Sequence, residues 1–163
     1  MQIITIRFIL NGEDMEIETE PTRRLITILR EHTTLRSPKL GCLGGNCGLC
    51  LVLYNGIVSP SCLIYAFSLP ESEIITLEGF SKTIEYRDIS GGFKQAGVDC
   101  CSYCEAGKIF TAEMLLEQSL QPSKEAVSIA FRGIRCRCTD IEALYQGILA
   151  AGEARQRRIY GRF

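Results

Sequence analysis

The sequence predicts an α+β chain. A β-grasp unit occupies residues 1–79, and a four-helix bundle comes after it over residues 80–163. Three observations carry this. Apolar and polar residues alternate in the first half, where Asn11-Gly12 and Asn55-Gly56 separate paired runs, as β-hairpins require. Strand signals stop near Gly79. Beyond it, apolar residues recur at helical spacing, most clearly at Ile141, Leu144, Tyr145, Ile148 and Leu149.

Ile4, Ile6 and Phe8 alternate with Thr5 and Arg7 in a first strand, and Met15, Ile17 and Thr19 alternate on the return strand. Leu25, Ile28 and Leu29 stand at i, i+3 and i+4, so a helix opens after Pro21 with Thr22 as its N-cap. Leu51–Tyr54 and Ile57–Ser59 form the second hairpin. Ile74, Ile75 and Leu77 form a last strand. Residues 79–92 hold Ser, Lys, Thr and a Gly-Gly pair and read as a linker running into helices. Helices are expected from about Ile84 to Ala96, Ala106 to Gln118, Ser123 to Phe131 and Thr139 to Ala151. Pro122-Ser123 is a helix start and Gly133 a stop. The basic tail 154–163, with two aromatics, reads as frayed or packed on a partner.

Nine cysteines dominate the chemistry. Cys42, Cys47 and Cys50 lie in a glycine-rich loop, and Cys62 comes after eleven residues. This C-x4-C-x2-C…C spacing is that of plant-type [2Fe–2S] ferredoxins, which makes residues 1–79 a ferredoxin-like unit. Two irons bridged by two sulfides need four thiolates on one small object, and glycines let the backbone turn its N–H groups toward the sulfurs. Cys101 with Cys104, and Cys136 with Cys138, supply four thiolates for a second cluster. Both pairs fall just before predicted helices, whose free N–H groups and positive dipole favour an anionic group. Cys100 is then left over, although C100-C101-S-Y-C104 also allows a C-x3-C pairing of Cys100 with Cys104.

A disulfide framework, structural zinc and simple packing each fit the cysteines less well. Disulfide frameworks suit shorter, secreted chains, and residues 1–20 carry no charged-then-apolar leader. A structural zinc module favours C-x2-C knuckles, often with histidine, and the single histidine, His32, is distant in sequence from every cysteine. Packing as small buried residues could explain Cys100 but not eight spaced thiols. The absent leader and the many reducible thiols place the expected protein in the cytoplasm. A net charge of −1 gives no basis for nucleic-acid binding. The longest apolar runs, such as Leu49–Tyr54, are too short to span a bilayer. Lys39, Arg135, Arg137 and Glu105 lie near the cysteines, and each reads either as a modulator of cluster charge or as solvated surface.

The chain resembles the iron–sulfur small subunit of the xanthine dehydrogenase family of molybdenum hydroxylases. G41-C-L-G-G-N-C-G-L-C-L-V-L-Y-N-G56 and S61-C62 are similar to the family's first cluster motif, and I75-T-L-E-G79 to a later stretch of the same unit. F93-K-Q-A-G-V-D-C-C-S-Y-C-E-A-G107 is similar to the family's stretch ending in Q-C-G-F-C-T-P-G, and R135-C-R-C-T139 to its N-L-C-R-C-T-G-Y. Around the second set the chain departs from the pattern. Cys100 stands for Gln, Ser102-Tyr103 for Gly-Phe, Glu105-Ala106 for Thr-Pro, and Asp140-Ile141 for Gly-Tyr.

The resemblance implies an electron-transfer subunit without a catalytic site of its own. Its two [2Fe–2S] clusters would be held by Cys42, Cys47, Cys50 and Cys62 and by Cys101, Cys104, Cys136 and Cys138. Electrons would pass from a molybdopterin-binding large subunit, through the helical unit and then the ferredoxin-like unit, to an FAD-binding subunit. Neither partner cofactor has an obvious site here, since G41-x-x-G44-G45 does not follow a strand and open a helix. A hetero-oligomer is expected, with purine hydroxylation as the default reaction. The alternatives are a stand-alone two-cluster ferredoxin and a structural zinc-binding module.

Overall fold

The computed structural model describes residues 2–161. Its first half is a mixed five-stranded sheet: β1 (Ile4–Leu10), β2 (Glu13–Thr19), β3 (Leu51–Tyr54), β4 (Ile57–Pro60) and β5 (Glu73–Ile75), in the order β2-β1-β5-β3-β4. β1 and β5 run parallel and the other pairs antiparallel. Helix α1 (Leu25–His32) covers one face. The alternation read in β1 sets this face. Ile6, Phe8 and Leu10 are buried and share a core with Leu25, Ile28, Leu29, Val52 and Ile74. Register pairs Ile6 with Ile17 and Phe8 with Met15, so side chains of like character meet across the strands.

The second half is helical: α2 (Leu77–Phe80), α3 (Ile84–Gln95), α4 (Glu105–Gln118), α5 (Lys124–Phe131) and α6 (Ile141–Tyr160). The four longer helices form the expected bundle, whose core includes Ile89, Phe93, Phe110, Leu116, Val127 and Ile148. This core also takes in Leu53, and Leu51, Val58 and Ile75 pack against it. The sheet is therefore covered on both faces near β3, by α1 on one side and the bundle on the other. Among the described residues no helix is long and apolar enough to cross a membrane.

Four expectations need correction. Thr22 does not cap α1. Arg24 precedes the helix without any side-chain cap, because residues 23–24 are committed to residues 64–66 through an Arg24–Tyr65 bridge and bonds from Leu25 N to Ile64 O (2.8 Å) and Ala66 N to Arg23 O (2.8 Å). Leu77 opens the single-turn α2 rather than extending β5. Residues 84–92, read both as linker and as the start of the Ile84–Ala96 helix, are helix: they belong to α3, capped by the Thr83 hydroxyl accepting from Tyr86 N. Within this helix a Cβ on Gly92 would sit 2.4 Å from the Gly147 carbonyl of α6, so glycine there lets these two helices touch. Finally, α6 continues to Tyr160, so the tail is helical to that point rather than frayed, and two of its arginines pair with the bundle. Arg155 pairs with Glu113 (2.6 Å) and Arg158 with Asp88 (2.7 Å). Positions 162–163 lie outside the described residues.

Glu78 of α2 ties the chain entering the first cysteine loop to the sheet. Its carboxylate accepts from the Arg36 and Ser37 amides (both 2.9 Å), from Ser37 Oγ (2.5 Å) and from Thr76 Oγ1 (2.7 Å). Partial burial alone would raise its pKa, but the hydrogen bonds from Ser37, Thr76 and Arg36 outweigh this and hold it at about 2. A carboxyl held below its unfolded value stabilises the fold above that value, and the contribution is lost as pH falls through the folded one. Glu78→Ala should therefore cost about 1–2 kcal/mol at neutral pH. In denaturant unfolding followed by circular dichroism, the gap to wild type should narrow steadily below about pH 5. A gap independent of pH contradicts this account.

Candidate metal centres

The second cysteine set converges. The sulfurs of Cys101, Cys104, Cys136 and Cys138 all lie within 4.8 Å of one another. Cys104 and Cys138 approach to 3.3 Å, and Cys101 stands 3.5 Å from both Cys104 and Cys136. Local structure explains the convergence. Cys104 occupies the N-cap position of α4, and a turn from Cys101 O to Cys104 N (3.1 Å) brings Cys101 beside it. Cys136 and Cys138 lie in the turn between α5 and α6, just ahead of Asp140, which caps α6 with its carboxylate.

The electrostatics around this set are uneven and favour thiolate most at Cys138. Burial opposes ionisation of Cys138, yet hydrogen bonds from Thr139, the Cys101 amide, Cys104 and Lys108 bring its pKa down to about 5. Burial raises that of Cys104. Lys108, one helical turn beyond Cys104, is 1% exposed and aims its ammonium at Cys138 Sγ (3.2 Å) and Thr139 Oγ1 (2.7 Å). Cys100 stays outside the group of four, and burial pushes its thiol up to about 11.

The first set forms two pairs. Cys42 N points at Cys47 Sγ (3.5 Å), and the Asn46 and Gly44 amides point at Cys42 Sγ (3.1 and 3.4 Å). Those two amides lower the Cys42 pKa to about 7. Cys50 and Cys62 are packed together with Ile26 in the interior, and burial raises Cys50 to about 11. Ser61 fastens this pair, donating to Cys50 O through both Oγ (2.7 Å) and N (3.0 Å).

Two residues that sequence reasoning passed over support these sites. Arg24 donates to the carbonyls of Leu43 and Cys62, joining the loop to its distant fourth cysteine, and its guanidinium lies 5.8 Å from the Tyr65 ring centre. No sequence signal marks Arg24. Lys108 was findable as a cation four residues after Cys104 on a helix face. Lys39 instead turns its ammonium to the Arg36 carbonyl. Arg135 and Arg137 flank Cys136 in the α5–α6 turn.

The two sets meet through backbone. Arg135 N donates to Cys47 O (3.0 Å). Gly48 adopts φ +66°, and a Cβ there would lie 2.4 Å from the Ile134 side chain. A Cβ on Gly107 of α4 would lie 2.2 Å from the Gly48 carbonyl. Only glycine at both positions lets the first cysteine loop sit on the foot of α4.

Four converging sulfur donors with a buried ammonium beside them at the second set, and two cysteine pairs with amides directed at the sulfurs of Cys42 and Cys47 at the first, fit thiolate-bound iron–sulfur groups. Comparison with known proteins agrees. Residues 8–74 match the family described as "2Fe-2S iron-sulfur cluster binding domain", and residues 76–151 match "[2Fe-2S] binding domain". The nicotinate dehydrogenase small FeS subunit of Eubacterium barkeri is 40% identical, over 94% of this chain and 98% of its own. The xanthine dehydrogenase iron-sulfur-binding subunit of Escherichia coli O157:H7 is 31% identical, over 91% and 94%. The crystal structure of quinoline 2-oxidoreductase from Pseudomonas putida 86 superposes with a TM-score of 0.82 at 32% identity, covering 96% of this chain and 98% of that one.

Cys47→Ser should remove one cluster and leave the other, and Cys104→Ser should do the reverse. Iron should fall from about four to about two per chain in each variant, read by metal analysis alongside the visible spectrum. Loss of both clusters from a folded Cys47→Ser protein would show that the sites are not independent.

Proposed function

The chain belongs to the iron–sulfur small subunits of the xanthine dehydrogenase, or molybdenum hydroxylase, family, and on that premise we propose that it is a non-catalytic relay between two partner subunits. Cys101, Cys104, Cys136 and Cys138 hold the cluster that receives electrons from a molybdopterin-binding subunit. Cys42, Cys47, Cys50 and Cys62 hold the cluster that passes them to an FAD-binding subunit. Each [2Fe–2S] group, when bound, takes up and returns one electron.

One observation carries this reading: the Arg135 N–H···O=C Cys47 bond at 3.0 Å. Arg135 is bonded directly to Cys136, a ligand of one site, and Cys47 is a ligand of the other. A single backbone hydrogen bond therefore links the two ligand sets, and the glycine contact beside it closes the gap between them. The remaining residues hold geometry. Ser61 and Arg24 fix the fourth cysteine of the first set, and the α4 N-terminus fixes Cys104. The division at residues 79 and 80 belongs to the same reading, with α2 straddling it.

The proposed substrate class of the whole complex is a nitrogen heteroaromatic ring. Purine hydroxylation remains within it, and the relatives named for nicotinate, xanthine and quinoline support the wider class. Nine cysteines, none in a disulfide, suit a reducing compartment, and cytoplasmic location is part of the proposal.

The test is anaerobic stopped-flow of the native complex with nicotinate, hypoxanthine and quinoline in turn. Cluster bleaching should precede flavin reduction with at least one of them. Cys47→Ser should leave the remaining cluster reducible by that substrate and all but abolish flavin reduction. Flavin reduction at the wild-type rate in Cys47→Ser would overturn the relay.

A further inference from the structure

Lys108 is the most completely buried cation among the described residues and has no carboxylate partner there. It is 1% exposed. Among the described residues it forms no salt bridge, in contrast to Arg155, whose burial is balanced by Glu113 and Asp88. A buried ammonium without a counter-charge is costly and is found only where an anion meets it. The groups that meet it are Cys138 Sγ at 3.2 Å and Thr139 Oγ1 at 2.7 Å. Thr139 is neutral; its single hydroxyl proton is shared between the Asp99 carbonyl (3.0 Å) and Cys138 Sγ (3.5 Å), and its lone pairs receive Lys108. The ammonium is thus clamped by a fixed acceptor and aimed at one sulfur.

Resting on the reading of Cys101, Cys104, Cys136 and Cys138 as a cluster site, we propose that Lys108 is a positioning residue that sets the redox behaviour of that cluster, its fixed charge favouring the reduced form. The chemistry balances simply. A diferric group with two sulfides and four thiolates is dianionic, and one electron from the donor makes it trianionic, with no bond made or broken. The added charge falls on a group that Lys108 touches through Cys138. A cation in a poorly solvated site stabilises the more negative state more strongly. At the first site the sulfurs of Cys42 and Cys47 meet amide donors, and the nearby cation, Arg24, donates to the Leu43 and Cys62 carbonyls rather than to a sulfur. Lys108 therefore acts on the second cluster, making it a better electron acceptor than it would be without this charge.

The experiment is an EPR-monitored redox titration of the full chain with its clusters reconstituted, as wild type, Lys108→Met and Lys108→Gln. Both neutral variants should make reduction of the second cluster at least about tenfold less favourable, a shift of about 59 mV to lower potential for one electron. The first cluster should not move. Gln keeps a hydrogen-bond donor and loses only the charge, so a wild-type potential in Lys108→Gln overturns the proposal in favour of hydrogen bonding alone. Equal shifts at both clusters, or none, overturn it as well. Loss of the second cluster from both neutral variants overturns it in favour of a purely structural cation. A wild-type chain that holds no second cluster refutes the site reading itself, which is a separate and distinguishable failure.

Discussion

The contact between Cys47–Gly48 and the Gly107, Ile134 and Arg135 backbone is the constraint on which the rest depends. Two cysteine sets on separate cores are joined where a carbonyl of one loop meets an amide of the other and two glycines allow the approach. The two glycines and the amide carry complementary parts of this join. A side chain at either glycine would drive the first loop off α4. Without the Arg135 amide, Cys47 O would lose its partner at a buried residue. The mixed sheet and the bundle are arranged so that this seam lies between the two cysteine sets.

A second requirement is electrostatic. The eight thiolate ligands of the two proposed clusters would put much negative charge into two thin cores of a 163-residue chain. The structure answers differently at each site. The first loop turns amides inward through positive-φ residues at Leu43, Gly45 and Gly48. The second uses the start of α4 and a buried lysine. Neutralisation by backbone dipoles is shared along the chain, whereas neutralisation by one ammonium is local and removable. The two sites should therefore respond differently to single substitutions.

Much of this was legible in the sequence, for physical reasons. Strand alternation and Asn-Gly turns act over a few residues, so β1 to β4 were readable. The cysteine spacing reflects the geometry of one small inorganic group and so carries both candidate sites. What was not legible depends on partners distant in sequence. The start of α1 was misplaced because residues 23–24 pair with residues 64–66, which overrides Thr22 as a cap. Gly91-Gly92 read both as linker and as part of the Ile84–Ala96 helix, and the approach of α6 shows why Gly92 is glycine within that helix. The tail read as frayed or packed on a partner, and its helical form depends on Arg155 and Arg158 meeting acids on α3 and α4. Arg24 and Lys108 are ordinary cations in sequence, and their importance comes from what lies opposite them in space.

That this one chain holds two [2Fe–2S] clusters on eight named cysteines is tested most directly by iron and acid-labile sulfide analysis of the purified protein, with EPR after dithionite reduction. The expected result is about four irons and four sulfides per chain and two distinct signals from one-electron-reduced clusters. Stoichiometric zinc, with no labile sulfide and no visible absorbance, would contradict it.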